Sequence, residues 1–402
     1  MSKPHRSNNK TTNPPVNSLS GVQTVILNNF DKRVWWATEA ALSTHAALHL
    51  GGVQKCPGLV IEGPSGASKT TVLRFFKKFE HTYRSDDVTP AAFVSHDASR
   101  HEEELEEVDL LPRIQQKTLI NADMAGWFSG DKDTIRERMS TLAKVMDGSG
   151  YQTDSGVHGQ RGYEGDYRFA LLGATTPLSP RARDVMGHTG NRLLFHEMPP
   201  KNDDEQAVRD VFGEEEFSEK VVRCRSVVIE YLSMLWKQYD GYGGFEWEGS
   251  AEEEIQELVQ YLAKLIQYAR APVSGNESPQ RETIYRPLNS LRDLARGHAL
   301  ASGRGYIDID DLQVCARVAL GTMHHKRRPV VRMLVSNPPA QEFQAADIER
   351  VANVSRPTAR KQMKLMDTLG IAECYETGRN DMKNLRVRDE FAWPDKLPFP
   401  KF

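Results

Sequence analysis

The stretch LVIEGPSGASKTTVLRFF, residues 59–76, constrains the fold more than any other part of the chain. A short apolar, β-prone run, PGLVIE, leads into Gly63-Pro64-Ser65-Gly66-Ala67-Ser68-Lys69-Thr70-Thr71. Val72, Leu73, Phe75, Phe76 and Phe79 then recur at helical spacing. Strand, glycine-containing loop and helix follow in the order that a phosphate-binding loop, G-x-x-x-x-G-K-[ST], requires. Backbone N–H groups of such a loop, with the helix N-terminus, hold phosphate oxygens. The residues from Gly63 to Thr71 are therefore the candidate ATP-binding set. Lys69 is placed to neutralise the β- and γ-phosphates, and the Thr70 hydroxyl to sit on Mg²⁺. Ser68 stands where the motif has its last glycine. A serine there permits close backbone approach with a negative φ, which is the expectation for this position.

Downstream segments supply what a hydrolase would need beside that loop. KTLINADMAGWF reads as a short strand ending in a polar cluster, and Asp123 is the candidate carboxylate for ordering Mg²⁺ and water. A second acid beside it is missing: the stretch offers Asn121, Ala122 and Asp123. An ordinary Asp helix cap is the competing reading. KDTIRERMSTLAKVMDG places Ile135, Met139, Leu142 and Met146 on one helical face. YQTDSGVHGQRGYEGDYRFALLGATT then reads as a hairpin with a glycine-rich tip, followed by a core strand. Thr175 or Thr176, at the end of that strand, is a candidate partner for the γ-phosphate or the attacking water. At the tip, His158 and Arg161 are candidate contacts to nucleic-acid phosphate and Tyr163 a base-stacking candidate. Arg192, in GHTGNRLLFHEMPP, follows a small-residue turn; a plain surface arginine is the competing reading.

A helical region spans about 206–325. Ser250 and Glu253 have the spacing of a capping box before EEIQELVQYLAKLIQY, whose Ile255, Leu258, Val259, Leu262, Leu265 and Ile266 form one apolar stripe. After the basic linker HHKRRPVVRML the order changes again. AADIERVAN is a short helix, Ser355 is an N-cap with Pro357 in the first turn, and RPTARKQMKLMDTLG is a second helix. IAECYETGRNDMKNLRVRDEF supplies two β arms around a tip. Helix, turn, helix and wing make a winged helix, whose second helix enters the DNA major groove in this motif. Arg356, Arg360, Lys361 and Lys364 crowd that helix, and Arg379 and Lys383 lie on the wing. Net charge is −3, so a DNA-binding surface on this chain must be local. A protein-contacting role is the alternative for this module.

Taken together these segments resemble the AAA+ ATPases, and among them the minichromosome-maintenance (MCM) helicases and their prokaryotic relatives. MCM-type loops read G-D-P-G-T-[AS]-K-[ST], so Ser68 looks like a variant of that branch. LLGATTP is similar to the strand after the pre-sensor hairpin, and GNRLLF to the motif that carries an arginine finger, which falls on Arg192. IYRPLNSLRDLARGHAL looks like the sensor-2 helix, which places Arg286 against bound ATP. The resemblance covers about residues 22–325. It implies an α/β fold with a P-loop AAA+ core at 22–205, a helical lid at 206–325 and a small winged-helix domain at 326–402, after a flexible tail at 1–21.

The same resemblance implies a DNA-acting ATPase in a homo-oligomeric ring such as a hexamer, with ATP between subunits. Only a short tail precedes the core, where these helicases carry a large DNA-binding domain. That keeps an ATP-gated DNA-binding regulator or loader open, and the single acid keeps open a nucleotide-binding scaffold without turnover. No apolar run approaches the length of a membrane span, the N-terminus has no signal-peptide core, and Cys56, Cys224, Cys315 and Cys374 form no C-x-x-C pair. A reducing cytoplasm is the expected compartment.

Overall fold

Strand β1 (Gly58–Glu62) is buried at all five positions, which suits a strand with neighbours on both sides and both faces covered. The computed structural model describes residues 17–400 apart from 96–101, 156–158, 191, 201–211, 213–215, 274–277 and 378–381. It pairs β1 in parallel with β6 (Ala170–Thr175) on one side and β7 (Leu194–Glu197) on the other. β3 (Thr118–Asn121) and β2 (Thr82–Ser85) complete a five-stranded parallel sheet in the order β2-β3-β6-β1-β7.

Two apolar layers cover this sheet. One is built on α1 (Leu19–Asn29), α2 (Lys32–Ala46) and α3 (Lys69–Phe76), with helices from the second half of the chain: α9 (Phe217–Gln238), α10 (Glu253–Ala269), α11 (Tyr285–Ala301) and α12 (Asp311–Thr322). The other contains α4 (Pro90–Phe93), α5 (Glu102–Val108), α6 (Leu110–Ile114), α7 (Lys132–Val145) and α8 (Pro180–Thr189). In it Phe93, Leu111, Ile135, Met139 and Val185 pack together. The antiparallel hairpin β4 (Gly150–Ser155) and β5 (Gly159–Glu164) projects between α7 and β6. The chain is thus a mixed α/β protein with a parallel central sheet.

Residues 328–400 form a smaller module. It has α13 (Arg328–Val335), β8 (Glu342–Gln344), α14 (Ala345–Ala352), α15 (Arg356–Leu369), β9 (Ala372–Thr377) and β10 (Met382–Val387). The three strands make an antiparallel sheet in the order β8-β10-β9. Its core is continuous with the preceding helices: Leu265, Ala269 and Met323 share one apolar cluster with Val331, Met363, Leu385 and Phe391. Lys264 also pairs with Glu390 at 2.7 Å. α10 begins at Glu253 behind Glu252 with no side-chain cap, so Ser250 does not cap it as its spacing predicts. Among the described residues, no helix is long and apolar enough to cross a membrane. All four cysteines are free, and three of them are buried.

Candidate nucleotide site

The loop between β1 and α3 is built as an anion cradle. Gly63 has no room for a side chain, because a Cβ would fall 2.2 Å from the Met198 carbonyl oxygen. Gly66 turns with φ +80° and opens onto free space. Ser68 adopts φ +69°, ψ 15°, the left-handed region, and not the negative φ expected from its side chain. The tertiary fold therefore holds serine in the backbone shape of the motif's glycine. One result is that the N–H groups of Gly66, Ser68, Lys69 and Thr70 have no acceptor among the described residues. The last three open α3, where intrahelical acceptors do not exist. Unsatisfied donors at a helix start attract phosphate or carboxylate oxygens.

Lys69 folds back on its own loop. Its ammonium donates to the carbonyls of Gly63 and Pro64, both at 2.7 Å. Partial burial lowers its pKa, while the Asp123 carboxylate pulls the other way. Residues Ser65 to Thr71, Arg74, Ala122, Asp123, Ala174, Thr175, Thr176 and Phe217 line one cavity of about 490 Å³. That volume is in the range of small-ligand sites. Three strand ends meet there. The loop follows β1, Asp123 follows β3, and Thr175 ends β6 with Thr176 next after it. Convergence at the carboxyl ends of parallel strands is where open α/β sheets bind ligands.

Asp123 is exposed, and its Oδ1 accepts the Ala125 N–H at 2.9 Å. The Thr175 hydroxyl is buried and has no hydrogen-bond partner, although it lines the cavity. A buried hydroxyl with no partner is costly unless a ligand or water meets it. The donor set fits a polyphosphate with Mg²⁺: free backbone N–H groups and one ammonium for the anion, with the Thr70 hydroxyl and one carboxylate for a hard cation. Mg²⁺ commonly binds through one or two carboxylates and substrate phosphates. Among the described residues no cluster of three or more His, Cys, Asp or Glu side chains is set to hold a metal alone.

Arg192 and Arg286 lie elsewhere. β7 runs parallel to β1, with Leu194 beside Leu59 and Glu197 beside Glu62. Arg192 precedes β7, so it sits at the opposite, amino-terminal end of the strands from the loop, five residues of strand or about 16 Å away. It pairs with Asp147 at 2.7 Å and lines a separate small cleft with Lys55, Asn289 and Asp293. Arg286, expected to reach ATP from its own helix, instead lies against Gly190, whose Cβ would fall 2.5 Å from Nη1, and pairs with Glu282 at 3.2 Å. Both arginines are therefore on the far side of the sheet from the loop of their own chain.

The hairpin side chains also differ from expectation. Arg161 is held by the buried Asp109 at 3.1 Å, and the Tyr163 hydroxyl donates to the same carboxylate at 2.7 Å. Asp109 in turn accepts the Ser95 N–H. Leaving that carboxylate unpaired in the interior would cost more than exposing an arginine. These two residues anchor the hairpin and are not presented as tip contacts. His158 and Arg379 lie outside the described residues.

In the C-terminal module Arg356, Arg360, Lys361 and Lys364 are all exposed on α15 with no ion pair among the described residues. Lys383 on β10 pairs with Glu376 at 3.3 Å. Ser355 is the residue before α15, and its hydroxyl meets the Thr358 hydroxyl at 3.1 Å.

Sequence reasoning missed Glu62. It ends β1, immediately before the loop, and is buried. It accepts the Leu178 N–H at 2.9 Å and pairs with Arg183 of α8 at 2.7 Å and with Arg328 of α13. Burial alone would raise its pKa, but the two arginines hold it down to about 2. The signal was present: a glutamate inside LVIEG must find cations once the strand is buried. Its partners lie 121 and 266 positions away, beyond the reach of any local pattern.

No protein-family model and no curated protein matches the chain. Among solved structures it is similar to one described as an active helicase, Cch of SCCmec type IV, over 94% of this chain and 72% of that one, at 8% identity and a TM-score of 0.38. It is also similar to the apo A form of the NrS-1 C-terminal region, over 94% and 77%, at 10% identity and a TM-score of 0.30. At this level neither likeness bears on activity.

Proposed function

We propose that this chain is an AAA+-type P-loop ATPase of MCM-like character that acts on DNA. The observation that carries this reading is the single cavity where the loop, Asp123 and the end of β6 meet. ATP phosphates are taken by the free N–H groups of the loop. Lys69 leaves its two carbonyl partners to neutralise the β- and γ-phosphates. Thr70 and Asp123 would hold Mg²⁺, which would supply charge neutralisation to the phosphoryl oxygens. The Thr175 hydroxyl gains a partner in the γ-phosphate or the attacking water. Arg192 and Arg286, at the opposite end of the strands, serve the ATP of a neighbouring subunit, which requires a homo-oligomer such as a ring. Helix α15, with the three-stranded sheet behind it, acts as a winged helix whose four exposed cations approach DNA phosphates.

The assay is phosphate release by wild type and Lys69→Ala, with and without duplex DNA. Wild type should turn over ATP and respond to DNA. The mutant should bind ATP more weakly by about 1.5–3 kcal/mol, the cost of one charge-assisted contact. Equal ATP affinity in the two proteins sinks the assignment.

A second reading, a nucleotide-binding scaffold without turnover, is favoured by the lack, among the described residues, of a second free acid beside Asp123. Asn121 is buried on β3, and Glu62 is committed to two arginines. Unwinding of a forked duplex separates the two, since only the helicase reading requires it.

A further inference from the structure

The cavity has an apolar end. Phe217 opens α9 and lines the cavity beside Thr70, Thr71 and Arg74. It is 48% exposed, in a chain whose Phe75, Phe76, Phe93, Phe169, Phe195 and Phe391 are fully buried. Its ring is nevertheless braced. It meets Phe30 edge-to-face with centroids 5.9 Å apart, and Phe30 meets Phe75 at 5.7 Å. Phe75 belongs to α3, the helix that the loop feeds. The ring is therefore tied, through Phe30, to the same element that sets the phosphate cradle. A braced, half-exposed aromatic ring at the rim of a phosphate site has the chemistry of a stacking platform for a flat heterocycle.

Resting on the assignment of the loop to a nucleoside triphosphate, we propose that the base of that nucleotide stacks on Phe217. Such a platform meets the π-face of the base and not its hydrogen-bonding edge. The contact thus adds affinity for the whole nucleotide beyond what its phosphates provide, and it does not by itself choose adenine over guanine. If Phe217 served only to brace the start of α9 on Phe30, its loss would not distinguish a nucleotide from its phosphate chain.

Calorimetric titration of ATP, GTP and inorganic tripolyphosphate into the full chain, in Mg²⁺ buffer, tests this. Phe217→Ala should weaken ATP and GTP by about 5- to 150-fold, the span of base–aromatic stacking, and leave tripolyphosphate unchanged. Phe217→Trp, which restores a flat ring, should bind ATP as wild type does. Lys69→Ala should weaken all three ligands. If Lys69→Ala weakens ATP while Phe217→Ala does not, the platform is refuted and the loop assignment stands. If Lys69→Ala leaves ATP unchanged, both fall together. Equal losses of ATP and tripolyphosphate in Phe217→Ala also refute the platform, since the ring would then be supporting the cradle alone.

Discussion

Replacing Ser68 by glycine probes the most unusual backbone position of the site. Ser68 sits at φ +69°, ψ 15°. The left-handed region costs an L-residue roughly 1–2 kcal/mol, because Cβ crowds the following carbonyl. Glycine removes that cost but adds freedom to the unfolded chain, which offsets about 0.4–1 kcal/mol. The net expectation for Ser68→Gly is a gain of about 0.5–1 kcal/mol in stability without ligand. Urea denaturation should show a higher midpoint at unchanged m, the pattern of a pure stability change. ATP affinity should stay within about threefold, because the N–H groups of Ser68, Lys69 and Thr70 are already without acceptors among the described residues and tenfold would require about 1.4 kcal/mol. Ser68→Asn should be tolerated, since asparagine visits this region, whereas Ser68→Val should lose ATP binding, because a β-branched residue is strained there. A destabilised glycine variant would refute the left-handed assignment. A tenfold gain in affinity would show that the strain is relieved only on binding, so that the free loop has some other shape.

Three further outcomes follow from the geometry. Arg192→Ala should keep ATP binding and lose hydrolysis, and mixing it with Lys69→Ala should restore part of the activity through interfaces with both residues intact; if Asp147→Asn is as inactive as Arg192→Ala, Arg192 acts only through its own chain's ion pair. Glu62→Gln should cost about 3–5 kcal/mol in denaturation experiments, because two buried arginines lose their carboxylate. The folded Glu62 pKa lies below its ordinary 4.5, so its stabilising contribution is full above that value and is lost as pH falls from about 4.5 towards 2, a limb the Gln variant should lack. Changing Arg356, Arg360, Lys361 and Lys364 to glutamine should weaken duplex binding and lower the log–log salt slope by about one per lost phosphate contact; an unchanged slope moves this helix to protein contacts. Substitution is the right perturbation, since deleting the module would expose Leu265, Ala269 and Met323.

What could be read from the sequence was local. PGLVIE followed by a glycine loop and KTTVLRFF has only one economical course, and β1 and α3 follow it. The two helices and two arms after residue 344 were legible for the same reason, through periodicity and the Ser355-Arg356-Pro357 start. What could not be read was tertiary. The serine side chain at position 68 argues for a negative φ, yet the fold imposes the positive φ of the glycine it replaces. Arg161 and Tyr163 look like exposed loop residues until Asp109, more than fifty positions earlier, is found beneath them. The helix carrying Arg286 was evident, but which edge of the sheet its first turn faces depends on packing against α8 and α2. Glu62 belongs to the same class, as does Phe217, whose ring partner Phe30 lies far earlier in the chain and itself meets Phe75 of α3.

The carboxylate of Glu62 has a mechanical consequence. It is one peptide bond from Gly63, and it is gripped by one arginine from α8 and one from α13. Separating buried ions costs more than moving them as a set. A shift of the β1 tip would therefore act on α13, which shares its core with the sheet behind α15. The C-terminal module is accordingly joined to the end of β1 by that carboxylate, alongside the Glu197 pairs of β7 with Arg328 and Arg332 and the shared apolar core.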